Sequence, residues 1–140
     1  MPGTAIKADI MIALVVASDP EQVGITRCLV RAALEYRGLG HYASEAEIIA
    51  SELVTNAIQH AGSADPATDK IGVTLMRVWD EEAISVVVTD SSSLPPVKRE
   101  TTAASDRGRG LQIVEALSAH WGWNHEQPGK AVYAILAKEE

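Results

Sequence analysis

Residues 51–61 read SELVTNAIQHA and place Glu52, Asn56 and His60 at intervals of four residues. At that interval, side chains share one face of an α-helix and lie about 6 Å apart along its axis. An acid followed one turn later by an amide can serve two purposes, because the carboxylate can accept a proton and the amide oxygen can bind Mg²⁺. An ordinary polar helix face produces the same pattern, so the spacing alone leaves both interpretations open.

The helix that carries this segment is predicted to begin at Ser44, which has the spacing of a capping box with Glu47, and to end at Ala61 and Gly62. Apolar runs, helical periodicity and turn residues predict the other elements: a strand over 10–17, a hairpin of strands over 71–79 and 83–89, a third helix marked by Leu111, Val114 and Leu117, and two strands over 121–125 and 131–137. Ser18-Asp19-Pro20 predicts an N-cap followed by Pro20 at the first position of another helix, which Gly38-Leu39-Gly40 ends. This order predicts an α+β fold, a two-layer sandwich with a mixed, mostly antiparallel sheet and helices on one face.

The first helix has apolar residues at helical spacing, which are expected to form its buried face: Ile25, Leu29, Ala32, Ala33 and Tyr36. Cys28 on the same helix is expected to be a buried small residue. Trp121 and Trp123 should point to one face of their strand and are expected in the core or in a subunit contact.

The length of 140 residues predicts one domain over 1–140, with 1–9 and 138–140 as loose ends. The net charge of −7 argues against sequence-independent binding to nucleic acid and against binding to anionic lipid. No apolar run approaches the roughly 20 residues that span a bilayer. A single cysteine excludes an internal disulfide, and a reducing cytoplasm is the expected location.

Two further features could bind a ligand. Asp90 ends the apolar strand Val86-Val87-Val88-Thr89, at the point where a chain leaves its sheet. After a long loop over 91–109, the sequence Asp106-Arg107-Gly108-Arg109-Gly110-Leu111 places two glycines before a helix, where backbone N–H groups and arginines can approach an anion. Taken singly, the aspartate could be a turn residue and the glycines a hinge.

Other candidate sites lack the residues their chemistry requires. Gly129-Lys130 has neither the upstream glycine nor the downstream Ser or Thr of a Walker A loop, and Pro128 suits a plain hairpin turn. His120 and His125 have no partner ligands at the spacing of a structural zinc site.

Together, and in this order, the acid-amide helix, the strand-end aspartate and the glycine pair resemble the ATP-binding domain of the GHKL superfamily, which has the Bergerat-type fold. The segments 51–61 and Gly108-Arg109-Gly110-Leu111, with Val114-Glu115-Ala116-Leu117 after them, resemble the anti-sigma-factor serine/threonine kinases, especially the compact bacterial regulators. The resemblance extends over residues 10–137.

The resemblance implies ATP and Mg²⁺ as cofactors and gives each motif residue a role. Glu52 would be the general base, Asn56 the Mg²⁺ ligand and Asp90 the acceptor for the adenine amino group, with His60 at the border of the pocket. The glycine motif would close over the phosphates with its flanking residues: Arg107, Gly108, Arg109, Gly110 and Leu111. It also implies a kinase that phosphorylates a serine of an antagonist protein, binds a sigma factor and forms a homodimer.

One departure from the superfamily keeps other functions open. Serines at 91–93 follow Asp90 where the superfamily usually has glycines. The first alternative is therefore a module that binds nucleotide weakly or not at all and regulates by protein capture only. The second is ATP hydrolysis coupled to lid closure and dimerisation, for which the loop after Asp90 is short.

Overall fold

The computed structural model of the chain describes residues 7–59, 69–79, 82–92, 94–96, 109–126 and 129–138. Its elements follow in the predicted order: β1 (Ala8–Ala17), α1 (Gln22–Tyr36), a 3-10 turn (Gly40–Tyr42), α2 (Ala43–Gln59), β2 (Lys70–Val78), β3 (Ala83–Asp90), α3 (Arg109–Leu117), β4 (His120–His125) and β5 (Lys130–Ala137). Each predicted strand is present, with ends shifted by no more than two residues. The largest shift brings Ala8 and Asp9 into β1, whereas the sequence predicts them as part of a loose end.

The strands form one sheet in the order β1-β2-β3-β5-β4. Every pairing between them is antiparallel, so the sheet has no parallel component within the described residues. The helices lie across one face in the order α1, α2, α3: α1 packs against β1, α2 against the central strands, and α3 against β4 and β5. The predicted two-layer α+β sandwich is confirmed.

The core lies between the sheet and the helices. Inward-facing residues alternate along the central strands β2 and β3: Ile71, Val73, Leu75, Ile84, Val86 and Val88. They meet the buried face of α2, which includes Ile49, Leu53 and Ala57. Burying one such Val, Leu or Ile side chain contributes about 1.5–3 kcal/mol to folding. Trp121 and Trp123 are half-buried and pack against this core, as predicted.

The boundaries of α1 depend on local backbone chemistry. The helix begins at Gln22, two residues after the predicted Pro20, and no side chain caps its N-terminus. The Asp19 carboxylate instead accepts a hydrogen bond from the N–H of Glu21 at 3.0 Å, in the turn that precedes the helix. At the other end Gly38 adopts a φ of +74°, which lets the N–H of Leu39 donate to the carbonyl of Leu34 at 2.8 Å. This is the Schellman arrangement, which needs a glycine where the chain turns left-handed.

The predicted buried face of α1 is wrong except at Ala33, which is half-buried and packs against the core. The residues that face the core are Thr26, Val30 and Leu34, while Ile25, Leu29 and Tyr36 are 50%, 39% and 88% exposed. Cys28 is also exposed, contrary to its prediction as a buried residue. The helix carries apolar residues at helical spacing on two sides, and the hydroxyl of Thr26 hides its polarity by donating to the carbonyl of Gln22 at 2.8 Å. We call the exposed set (Ile25, Cys28, Leu29, Ala32 and Tyr36) the outer stripe of α1.

The predicted capping box of α2 is also wrong. A 3-10 turn over Gly40–Tyr42 runs directly into the helix, which begins at Ala43, so Ser44 lies inside it. Glu47 accepts a hydrogen bond from Arg31 Nε of α1 at 2.8 Å. Glu47 therefore joins two helices.

None of the helices that the structure describes is both long enough and apolar enough to cross a lipid bilayer.

Candidate nucleotide site

The candidate site lies at one end of the sheet, where β3 ends and β5 begins. Asp90 and Lys130 stand directly opposite each other in the β3–β5 register. The pairing of Ala17 with Lys70 brings the end of β1 and the start of β2 to the same end. Residues at this end can therefore act together although they are far apart in sequence.

Asp90 forms a buried ion pair with Lys130. The distance from Lys130 Nζ to Asp90 Oδ1 is 3.0 Å, Lys130 is fully buried, and Asp90 is 8% exposed. The N–H of Ser92 donates to the same oxygen at 2.8 Å. A charge inside a protein is tolerated when it is paired and hydrogen-bonded, so these contacts hold the carboxylate at the end of β3.

Gly129 fixes the two strands relative to each other. Its φ is +92°, and a Cβ added there would lie 1.9 Å from the carbonyl oxygen of Asp90. Only glycine satisfies both constraints, since other residues would be strained in conformation and would collide with the β3 backbone.

The serines after Asp90 hold the turn with their own side chains. Ser91 Oγ donates to Asp69 Oδ1 at 2.6 Å, and Ser92 Oγ accepts from the N–H of Leu94 at 3.2 Å. Glycine could make neither contact. The departure from the superfamily's glycines thus replaces backbone freedom with side-chain hydrogen bonds, while Ser93 lies outside the described residues.

The C-terminal half of α2 points toward this end of the sheet. Tyr42, just before α2, donates from its hydroxyl to Glu82, just before β3, so the helix and β3 start together. The rise from Ala43 to Asn56 is about 20 Å, and β3 spans about 23 Å. Asn56 therefore belongs to the half of α2 that is nearer the end of β3 than its start.

Glu52 and Asn56 lie on the flank of α2 that faces away from α1. Glu47 marks the α1 side, because it binds Arg31, and Asn56 comes nine residues later, about half a turn around the axis. Both Glu52 and Asn56 are half-buried. Since α3 also packs against α2, on the side opposite α1, the acid and the amide lie on the α3 side of the helix.

Burial raises the pKa of the Glu52 carboxyl above its usual value. A carboxyl group in such surroundings holds its proton more strongly, so its carboxylate is a stronger base than that of an exposed glutamate.

The predicted residues of the glycine motif are placed only in part. α3 begins at Arg109, so Arg109 and Gly110 form its first turn, and Leu111 is buried in the core. The N–H groups of that first turn have no partners within the helix and can receive an anion. His60, Arg107 and Gly108 lie outside the described residues.

A five-stranded antiparallel sheet covered on one face by three helices is the fold of GHKL-type ATPase domains. The model of the family described as "Histidine kinase-like ATPase domain" matches residues 16–136, and the chain belongs to this family. The finer assignment to anti-sigma kinases is not part of that match.

A solved structure has the same fold. The histidine kinase domain of the blue-light activated histidine kinase from Erythrobacter litoralis EL346 superposes with a TM-score of 0.52 at 20% sequence identity. The match covers 87% of this chain and 61% of that chain. No curated protein matches the sequence.

The chemistry of the described residues suits a nucleotide with Mg²⁺. Asp90 is a fixed carboxylate at a strand end, the first turn of α3 offers N–H groups to phosphates, and the carboxamide of Asn56 is of the oxygen type that Mg²⁺ binds. Within the part of the chain that the structure describes, no cluster of three His, Cys, Asp or Glu could hold a metal alone. Mg²⁺ often takes few protein ligands and completes its shell with phosphate oxygens and water.

Sequence reasoning missed Lys130, which it treated as part of a plain hairpin turn. Its partner Asp90 is 40 residues away. The local sequence Pro128-Gly129-Lys130 gives no sign of that pairing, and only the β3–β5 register reveals it.

Proposed function

We propose that this domain binds ATP with Mg²⁺ and transfers the terminal phosphoryl group to a serine or threonine of an antagonist protein, and that it also sequesters a transcription partner in the cytoplasm. ATP binding is what family membership indicates. The protein substrate and the sigma-type partner follow from the resemblance of 51–61 and 108–111 to anti-sigma kinases.

The observation that carries the proposal is the position of Glu52. It lies on the α3 side of α2, four residues before Asn56 and in the half of the helix nearer Asp90, and its burial raises its pKa. In the proposed mechanism Glu52 would accept the proton of the acceptor hydroxyl, Asn56 would hold Mg²⁺, and Asp90 would orient the adenine ring. Bound Mg-ATP would supply the γ-phosphoryl group: the acceptor oxygen bonds to the γ-phosphorus, the bond from that phosphorus to the β–γ bridging oxygen breaks, and ADP leaves. This transfer depends mainly on positioning and on charge neutralisation.

The test replaces the carboxylate and leaves the binding residues in place. Glu52→Gln and Glu52→Ala should keep ATP affinity within about threefold and lose at least about a hundredfold in transfer rate, a typical share for general base catalysis. Transfer is followed with γ-labelled ATP and lysate of the source organism, counting acid-stable label, because phosphoserine and phosphothreonine survive acid and phosphohistidine does not. Because burial raises the pKa of Glu52, the activity of the wild type should fall on acidification at a pH above the usual titration range of a glutamate.

The matched control is Glu45→Gln. Glu45 is an exposed glutamate two turns earlier on the same side of α2, at the end away from Asp90. This variant should transfer phosphate at the wild-type rate. Equal transfer by the wild type and both Glu52 variants would rule out Glu52 as the base.

A second candidate function is protein capture without catalysis. The outer stripe of α1 favours it, because an apolar helix face left in water is typical of a surface that contacts a protein. Calorimetry with millimolar ATP and Mg²⁺ separates the two functions. Heat of binding supports the kinase, and its absence supports the capture module.

A further inference from the structure

The hydrogen bonds of Asp90 are unevenly divided between its two carboxylate oxygens. Lys130 Nζ and the N–H of Ser92 both donate to Oδ1, at 3.0 and 2.8 Å. A carboxylate oxygen has two lone pairs, so these two donors fill Oδ1. No described residue donates a hydrogen bond to Asp90 Oδ2. Oδ2 is therefore the oxygen that remains for a ligand.

We infer that Lys130 is a positioning residue that makes Asp90 a one-oxygen acceptor and thereby sets the base preference of the site. The inference rests on the proposed function, in which Asp90 receives a base. Adenine presents one exocyclic amino group beside a ring nitrogen without a proton. Guanine presents two adjacent N–H donors, which match both oxygens of a carboxylate. With Oδ1 filled from within the protein, the second donor of guanine finds no acceptor on Asp90.

Lys130 acts on a ligand only through Asp90. Its side chain is fully buried, so its ammonium group does not reach the surface of the site. Gly129, pressed against the Asp90 carbonyl, keeps the start of β5 in the position from which Lys130 reaches Oδ1. An ion pair with a purely structural role would stabilise the pairing of β3 with β5 without influencing which nucleobase binds. The preference between nucleobases therefore distinguishes a structural role of Lys130 from a positioning role.

The first experiment uses the wild-type chain and three triphosphates. ATP, GTP and inosine triphosphate are titrated with Mg²⁺, and dissociation constants are taken from calorimetry. Inosine triphosphate is GTP without its 2-amino group, so the GTP-to-inosine ratio reports whether a second donor is accepted. We expect ATP to bind most tightly and the other two to agree within about threefold. GTP binding about tenfold or more tighter than inosine triphosphate would overturn the inference.

The second experiment changes Lys130. Lys130→Met removes the donor at similar length and frees a lone pair on Oδ1, so the preference for GTP over inosine triphosphate should rise about tenfold. Lys130→Gln keeps an N–H donor and should retain the wild-type ratio. A folded Lys130→Met protein with the wild-type ratio would overturn the inference. The wild-type titration stays decisive if Lys130→Met does not fold, because it needs no variant.

Failure of the inference differs from failure of the proposed function. If no triphosphate binds the wild type, the proposed function is rejected and the inference falls with it. If ATP binds while the GTP-to-inosine ratio is large in the wild type or insensitive to Lys130→Met, only the inference is rejected.

Discussion

Gly129, next to the candidate site, leaves no room for a side chain. Gly129→Ala would place a non-glycine residue at a φ of +92° and a methyl group 1.9 Å from the Asp90 carbonyl oxygen. We expect a loss of about 2–4 kcal/mol in unfolding free energy, the sum of backbone strain and of overpacking that only movement of β3 could relieve. Urea denaturation followed by circular dichroism measures it.

The control for this substitution is Gly24→Ala. Gly24 lies in the first turns of α1, and an added Cβ would meet nothing within 4 Å. Alanine favours the helix by up to about 1 kcal/mol over glycine, so this variant should be more stable than the wild type. Equal stability of the two variants would show that the contact between Gly129 and Asp90 is not tight in solution.

At the scale of elements, α1 shows where reasoning from sequence alone reaches its limit. Its C-terminal end was predictable because Gly38 acts within a few residues of its partners, while its N-terminal end lies two residues beyond the predicted Pro20. Its buried face was not predictable, since the helix carries apolar residues at helical spacing on two sides. Contact with α2 and β1 selects the side with Val30 and Leu34, and neither contact is encoded locally.

The cost of replacing a leucine of α1 by alanine should therefore depend on which side of the helix the leucine occupies. Leu34 is fully buried and Leu29 is 39% exposed, so the same substitution tests both sides of the helix. Leu34→Ala should lower the unfolding free energy by about 2–5 kcal/mol, the usual cost of a cavity in the core. Leu29→Ala should cost less than about 1 kcal/mol, because its side chain loses little burial.

Both values come from urea denaturation monitored by tryptophan fluorescence, with the slope of each transition checked for agreement with the wild type. A larger loss for Leu29→Ala than for Leu34→Ala would mean that the outer stripe is buried in solution and that the described orientation of α1 is incorrect.

The site shows the same division between local and distant information. The four-residue spacing of Glu52 and Asn56 is local, and the helix that it predicts is present. The strand that leads to Asp90 was predictable from its apolar run. The pairing of Glu47 with Arg31, and that of Lys130 with Asp90, joins residues 16 and 40 positions apart. Such contacts form only when the sheet and helices assemble, so no periodicity in the sequence predicts them.

At the scale of the whole molecule, polar clusters occupy both ends of the sheet. At the end away from Asp90, Glu82 accepts hydrogen bonds from the Tyr42 hydroxyl at 3.0 Å and lies 3.3 Å from His41 Nε2. These contacts tie the start of α2 to the start of β3. The hydrogen bond from Tyr42, followed by that from His41, holds the pKa of Glu82 below its ordinary value.

Burial, aided by the nearby Glu82 carboxylate, raises the pKa of Tyr42 to about 12. The unfolded chain releases this proton near pH 10, so the folded state binds it more strongly between these values. The stability that results is fully present below pH 10 and is lost as the pH rises through about 12. Tyr42→Phe has no proton to release, and the stability of the wild type should therefore fall relative to this variant as the pH rises from 9 to 11.

The control is Tyr36→Phe, because Tyr36 is 88% exposed. Its unfolding free energy should stay within about 0.5 kcal/mol of the wild type, because substitution of an exposed side chain removes few contacts. Taking differences between variants cancels the lysines, which titrate in the same range. A constant difference between the wild type and Tyr42→Phe from pH 9 to pH 11 would show that the hydroxyl of Tyr42 is not held against Glu82, and that α2 is not tied to β3 at this end of the sheet.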